Sequence, residues 1–455
     1  MVAIVTDTFK HSLAETFLNE LQNGNDSNEF YIGVGLPIEY PNNDNPTTPL
    51  RTLTEEREAR NNLLAIKKIS ATSFVIPRYN WTSGTVYTSW DDSIIGIPSN
   101  SFYVLTEDQE VYICLQQGKT AGGTATASVV KPSFSDAAVA QEKAFQTSDG
   151  YRWKFMYSIS ATKASSFLTS SFMPVQRIPW EEAGDSIGLD TFELQQLQVQ
   201  LSSSGGRVIG LRKVSGGSGY NTAPSVEVVG NGSGAAATAT ISGGQVVKIE
   251  MNNESAALGN GYDYANVIIS GGGGTGATYE PIITPALGLE HDPTVSLKSS
   301  NIMMNTKPNG IEGGSFFVEQ DFRQITVIKN ILERGTTSKF SGTAAKVPNY
   351  VVMNTPVAFT RDDVIRDSTG GSAGFVVDVD STNVYYIQNN YTGFRPFEDN
   401  MFVEDSAGAL DGTIDSAAKQ STVDPHTGEI LYIENRARVV RSTAQTEDIK
   451  VIISV

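Results

Sequence analysis

The sequence reads as a mainly β, multi-domain protein with a small α+β part. Three observations carry this. Gly occurs 42 times and, with Ser, Thr and Asn, punctuates short alternating apolar runs. Helical periodicity is strong only within the first 80 residues. The length, 455 residues, implies two to four domains of ordinary size.

Val2–Val5 reads as a short strand, with Thr6 or Asp7 as the N-cap of a following helix. Phe9, Leu13, Phe17 and Leu21 recur every fourth residue beside Leu18, which predicts one buried helical face ending at Asn23-Gly24. Phe30–Val34 is a second strand. Thr52 and Glu55 have capping-box spacing, and a helix is expected to run from there to about Ile69. Phe74–Ile76 is a strand closed by Pro77, so the opening segment has a β-α-β-α-β pattern.

From Trp81 to Trp180 short strands alternate with turns: Phe102–Leu105, Val111–Leu115, and Trp153–Ile159 after the Asp149-Gly150 turn signal. All four tryptophans fall at or before position 180, so the conventional core belongs here. Between Ser202 and Glu290 the texture changes, with 19 of the 42 glycines and neither Trp nor Phe. Residues 216–240 resemble residues 258–282 at an offset of 42: Tyr220 matches Tyr262, and Gly234-Ala235 matches Gly276-Ala277. Each copy reads as strand, Gly turn, strand, a hairpin module used twice. Phe316–Ile331 returns to ordinary strand character, and residues 340–420 read as a second β insertion of three or four strands.

The last stretch, Thr427–Val455, holds apolar runs at Ile430–Ile433, Val439–Val440 and Ile449–Val455. Its strands need partners, which the N-terminal sheet can offer. Glu434, Asn435 and Arg436 stand where the first run ends, suited to a hydrogen-bonding knot. The expected domains are therefore 1–80 with 421–455 (α/β), 81–200 with 291–339 (β), 201–290 (Gly-rich β insertion) and 340–420 (second β insertion).

Charged residues make up 18% of the chain and the formal balance is −17. An acidic surface argues against nucleic acid and against docking on anionic lipid. No window approaches the roughly 20 apolar residues of a membrane span, and no secretory signal opens the chain. The single cysteine, Cys114, sits in an alternating run and reads as a small buried hydrophobe. His11, His291 and His426 have no metal-ligand spacing. His11 reads as a surface residue on the polar side of its helix, and His426 as a solvated turn residue. Asp91-Asp92 and Asp362-Asp363 are acidic pairs without a local signature. Asp378 and Asp380 share a strand face and read as a solvent-facing stripe. Gly271–Gly274 lacks the Walker Lys-Ser/Thr and reads as a flexible hairpin tip. The sequence therefore points to no catalytic, cofactor or metal site, and to a structural or binding role.

Six separated pieces carry a resemblance. They are VIPRYNW with Pro77, Arg78 and Trp81; DGYRWKFMYSI with Asp149, Gly150, Tyr151 and Trp153; and VQRIPW with Pro179 and Trp180. The others are FRQITVI with Phe322, Arg323 and Gln324; GEILYIENR with Gly428, Glu429, Tyr432, Glu434, Asn435 and Arg436; and QTEDIKVIISV with Gln445, Thr446 and Glu447. In this order they resemble the T4-type phage baseplate wedge proteins of the gene product eight family. The regions near 200–290 and 340–420 have no matched counterpart and look like insertions of the kind carried by T4-like phages of cyanobacteria. The resemblance implies an α/β domain formed by the N- and C-terminal segments, with β-barrel or sandwich domains between. It also implies a non-enzymatic role without cofactors, a homodimer contacting other wedge subunits, and a virion protein assembled in the host cytoplasm. The motif residues are then structural. Two other readings stand beside it. One is a tail-associated glycan-binding module, for which Tyr220 and Tyr262 are the candidates. The other is a polysaccharide-cleaving tail enzyme.

Overall fold

A computed structural model describes residues 3–23, 28–42, 44–96, 101–133, 144–179, 188–252, 257–356 and 358–455. The protein is mainly β, with 41% strand and 12% helix. The chain divides into two compact units. Unit 1 comprises Met1–Glu15, Ser73–Met303 and Ile452–Val455; unit 2 comprises Thr16–Thr72 and Met304–Val451.

Unit 1 has a four-stranded sheet in the order Tyr103–Leu105, Glu110–Gln116, Arg152–Ser158, Phe145–Gln146. The aromatic-rich run at 151–157 is buried on both faces, which is why it reads as continuous rather than alternating. Tyr87, Tyr112, Tyr151, Trp153 and Phe155 form one core cluster with Cys114 and Val199. Val199 comes from a helix, Thr191–Leu201, that the sequence reading passed over. Its signal was present: Asp190 and Glu193 form a reciprocal capping box. The helix is tied down by two buried glutamines. Gln200 pairs with both main-chain groups of Ile178, and Gln196 donates to the Gln176 carbonyl at 2.6 Å. A second sheet runs in the order Ile449–Ser454, Asn301–Thr306, Ala71–Pro77, Phe172–Val175. The last strand of the chain is thus held in a sheet.

The Gly-rich region also belongs to unit 1, and its two copies are interlocked rather than being two hairpins. Strand Ser225–Gly230 of the first copy pairs antiparallel with Ala265–Ser270 of the second. Ser233 and Ala235 pair with Asn260 and Leu258. Moving each number by 42 converts these pairs into Thr275 and Ala277 against Ser218 and Gly216, which are also formed. The arrangement is a pseudo-two-fold, each copy supplying the other's partner strands. Tyr220 lies over Gly274, and the equivalent Tyr262 lies over Gly232. A Cβ at either glycine would meet the ring at 2.5 Å. Among the described residues of this region, the Ala237–Ser242 and Gln245–Met251 pair is the one local hairpin.

Unit 2 is built on a five-stranded sheet in the order Ala344–Lys346, Leu63–Lys68, Phe30–Gly35, Asp321–Lys329, Glu429–Val440. Phe30–Gly35 is wholly buried. Gly33 is required there, because a Cβ would strike Thr326 Oγ1 and Leu63 Cδ1. Residues 349–419 close a six-stranded barrel around Val351, Ile365, Val376, Tyr386, Val403 and Ile414. The closure removes free strand edges from a region that read as three or four strands.

Several local expectations are corrected. Ala3–Thr6 is not a strand, so the opening order is α-β-α-β-β. The first helix, Asp7–Asn23, buries Ala14 and Leu18, while Phe9 and Leu13 are exposed. The helix after Thr52 stops at Asn61. Thr52 does cap it through Glu55 N, but Leu63–Lys68 is a strand, because a buried sheet centre outcompetes helix propensity in LLAIKK. The terminal apolar runs 430–433 and 439–440 are one strand, Glu429–Val440, which places Glu434–Arg436 mid-strand. The immediate partner of this strand is Asp321–Lys329, with Phe30–Gly35 one strand further in. Asp321–Lys329 lies in unit 2 with these strands.

Candidate functional site

Many of the residues that carry the resemblance take part in hydrogen-bonded knots. In unit 1 the knot is centred on Asp149. Its carboxylate accepts from Val129 N (2.8 Å), Val130 N (2.9 Å), Ser128 Oγ (3.1 Å) and Thr147 Oγ1 (2.5 Å). Burial pushes the Asp149 pKa up, but the bonds from Thr147, Val130, Val129 and Tyr151 together hold it below the usual carboxylate value. Trp81 Nε1 donates to Ser128 Oγ at 3.2 Å, joining the same group. Gly150 has φ +86, the left-handed conformation the turn demands. Tyr151 then stacks on Trp153 at 5.6 Å, and its hydroxyl donates to the Thr126 carbonyl at 2.7 Å. Asp149, Gly150, Tyr151, Trp153 and Trp81 are thus one assembly that pins the 118–130 loop to the central strand. Arg78 donates to Asn80 Oδ1 and the Thr169 carbonyl, each at 2.8 Å, and the Pro77 carbonyl accepts from the Tyr103 hydroxyl at 2.8 Å. Pro179 is exposed, and Trp180 lies outside the described residues.

Unit 2 has three smaller knots. Arg323 is fully buried and binds the Pro37 carbonyl and Asp321. The neighbouring Phe322 is buried in the core, and Gln324 Nε2 donates to Asn435 Oδ1 at 2.7 Å. Asn435 Nδ2 donates in turn to the Thr47 carbonyl at 3.0 Å. Tyr432 donates to Glu434 at 2.9 Å. Glu429 stands opposite Lys329 in the ladder, and Arg436 has a buried Nε without a partner. At the 425–428 turn, Arg60 donates to the carbonyls of Pro425, Thr427 and Gly428. Gly428 has φ +68, and a Cβ there would strike the main chain of residues 329–331.

The third knot turns on Arg441, which the sequence reading did not single out. It is 2% exposed and binds Glu447 at 2.8 Å, the Phe317 carbonyl at 3.0 Å and the Gly310 carbonyl at 2.6 Å. Its guanidinium also covers the Phe316 ring at 4.8 Å. Gln445 accepts from Gly310 N at 2.9 Å, and Thr446 donates to Asn309 at 2.9 Å. An Arg one residue after an apolar strand and six before Glu447 was the available signal.

The acidic pairs resolve into structural contacts. Asp91 and Asp92 bind Arg212, and Asp92 also accepts from Ile283 N at 3.1 Å. Asp378 is paired with Arg361 at 2.9 Å and largely buried, so it is not part of a solvated stripe with Asp380. Asp363 accepts from Thr360 and Ser406. His11 is also corrected. It faces inward, bonded to the Ser299 carbonyl at 2.9 Å and stacked on Phe74 at 5.2 Å. Among the described residues no group of three or more His, Cys, Asp or Glu could hold a metal ion. No described helix is long and apolar enough to cross a membrane.

A cleft of about 510 Å³ in unit 2 is lined by Arg60, Arg334 and His426 among others. Both arginines are committed to main-chain carbonyls: Arg334 donates to Ser421 O at 3.1 Å, and Arg60 holds the 425–428 turn. Tyr220 and Tyr262, the glycan candidates, are 5% and 2% exposed and serve as packing keystones of the repeat. Gly271–Gly274 is likewise a packed turn, with Asn221 N donating to Gly272 O at 2.8 Å. Exposed apolar side chains lie elsewhere. Val229 and Ile268 point outward from the paired strands 225–230 and 265–270, with Tyr264 beside them at 68% exposure. Ile4, Val5, Phe9 and Leu13 form a second exposed apolar set.

No protein-family model and no curated protein matches this chain.

Proposed function

We propose that the protein is a structural subunit of the baseplate wedge of a contractile phage tail, acting by assembly and not by catalysis. The observation that carries this reading is the fate of the motif residues. Most of those that resemble the wedge family brace loops against sheets, with Asp149, Arg323 and Glu447 at the knots, Glu447 through Arg441, which is outside the matched motifs. A subunit under mechanical load needs that kind of cross-linking more than an open pocket. The outward Val229, Tyr264 and Ile268 face and the exposed Phe9 and Leu13 supply apolar surface for neighbouring subunits. In this reading the protein is a homodimer that contacts other wedge proteins, binds neither nucleic acid nor membrane, and resides in the virion tail after assembly in the host cytoplasm. The burial of Tyr220 and Tyr262 removes the residues that motivated a glycan-binding module.

Light scattering of the purified chain, alone and after co-expression with other wedge subunits of a contractile tail, tests the proposal. A dimer that enters a defined stoichiometric complex is the expected result. A monomer that joins none of them would overturn it.

A further inference from the structure

Polar side chains without protein partners converge on the unit 2 cleft of about 510 Å³. Its lining comes wholly from unit 2: the C-terminal end of helix Leu53–Asn61, residues 347–349 leading into the barrel, the 386–397 stretch and the turn at Pro425. Among the described residues, the side chains of Asn61, Asn349 and Gln420 make no hydrogen bond, and neither does the His426 ring. Arg334 gives its Nε–H to the Ser421 carbonyl at 3.1 Å. Its terminal nitrogens make no hydrogen bond among the described residues, and Nη1 stands 3.8 Å from Asp424. No Asp, Glu or Lys among the described residues lines the cleft. Apolar groups complete the wall, with Phe394 55% exposed.

These features define a class of ligand. The volume falls in the range of roughly 300–1,000 Å³ that small-molecule sites occupy. A guanidinium and an imidazole in a wall without carboxylates select a negative group. Side-chain amides, each with donors and an acceptor, suit hydroxyls. An exposed aromatic ring suits the apolar face of a sugar ring. A peptide main chain has less to hold. Strand Asn349–Met353 is paired on both sides within the closed barrel, so this wall offers no strand edge. A phosphate is poorly served too, because helix Leu53–Asn61 meets the cleft at its C-terminal end.

We propose that this cleft binds an acidic sugar. Arg334 takes the carboxylate through its terminal nitrogens, with His426 as a second donor. Asn61, Asn349 and Gln420 take hydroxyls, and Phe394 packs on the sugar ring. Arg60 does not bind the ligand. It holds the 425–428 turn that carries His426. This binding is additional to assembly and does not depend on it.

The test is calorimetric titration and saturation-transfer NMR of the full chain at fixed ionic strength. Glucuronate, galacturonate and N-acetylneuraminate are the probes. Glucose, acetate and the capped peptide acetyl-Ala-Glu-Ala-amide are the controls. Saturable binding of at least one acidic sugar, about ten-fold or more tighter than any control, is expected. Phe394→Ser changes an exposed side chain, so the chain should fold as the parent does, and it should weaken that binding about ten-fold or more. Arg334→Gln should bring the acid down to the affinity of glucose. No saturable binding of any acidic sugar, equal binding of glucose or acetate, or binding unchanged in Phe394→Ser would overturn the proposal. Binding of the peptide as tight as that of the sugars would also overturn it, and would mark the cleft as a protein-docking surface.

Discussion

Asp149→Ala removes the acceptor at the centre of the unit 1 knot. Four donors lie within 3.1 Å of that carboxylate, two from the main chain and two from hydroxyls. A hydrogen bond to a charged group is worth about 1.5–3 kcal/mol net. The donors at Val129 and Val130 sit at the rim and regain water when the carboxylate is lost, and Asp149 is itself half-buried, so solvent screening reduces the sum by at least half. The expected loss is about 3 kcal/mol, or roughly 6–12 °C in Tm for a unit of this size. Asp149→Asn keeps one acceptor oxygen and should lose about half as much. Because the folded pKa is lowered, the stabilisation by the carboxylate is fully present above the unfolded value of 3.8 and is lost as pH falls through the folded value. The stability gap between parent and Asp149→Asn should therefore be constant near neutrality and shrink below about pH 4. Urea unfolding followed by tryptophan fluorescence is the assay, since Trp81 and Trp153 both report on the knot. The reasoning fails if Asp149→Ala lies within about 0.5 kcal/mol of the parent, the range of an ordinary surface change. It also fails if the gap to Asp149→Asn is the same at pH 7 and pH 3.

Four further outcomes are expected. Arg441→Met strands the buried Glu447 and should cost about 3–5 kcal/mol of unit 2 stability by urea unfolding, whereas pairing it with Glu447→Gln should recover part of the loss. Gly232→Ala and Gly274→Ala should destabilise by about 1–3 kcal/mol each and by similar amounts, because the pseudo-two-fold gives them equivalent rings to strike; thermal melts that differ widely would contradict the symmetry. Deleting 202–288 removes the buried Val208, Ile209 and Leu211 and should leave a poorly folded chain, while replacing 219–274 by a short turn keeps them and should give cooperative unfolding. Tyr264→Ser should change stability by less than about 0.5 kcal/mol and, on the assembly reading, weaken complex formation with neighbouring subunits in size-exclusion profiles.

Local chemistry was legible wherever one residue type solves a local problem. Thr52 as a helix cap, Gly150 in its turn, Cys114 as a buried hydrophobe and the Phe74 strand all follow from short-range rules. The capping box at Asp190 was equally local and could have been read. The errors share a different cause. LLAIKK suits a helix or a buried strand, and only its place between Phe30–Gly35 and Ala344–Lys346 decides for a strand. Phe9 and Leu13 have the spacing of a buried face, yet the neighbours of that helix cover Ala14 and Leu18 instead.

The sequence by itself determined the class: many turns, short apolar runs and few helical periods leave a mainly β protein. It also exposed the 42-residue repeat, because identical packing problems select identical residues. Tertiary structure alone decided what the repeat does. Strand pairing is carried by main-chain groups that every residue shares, so nothing in two matching hairpin patterns says whether they close on themselves or on each other. The same holds for the charged residues. Arg60, Arg323 and Arg441 look alike in sequence. What each one braces depends on oxygen atoms brought from distant parts of the chain.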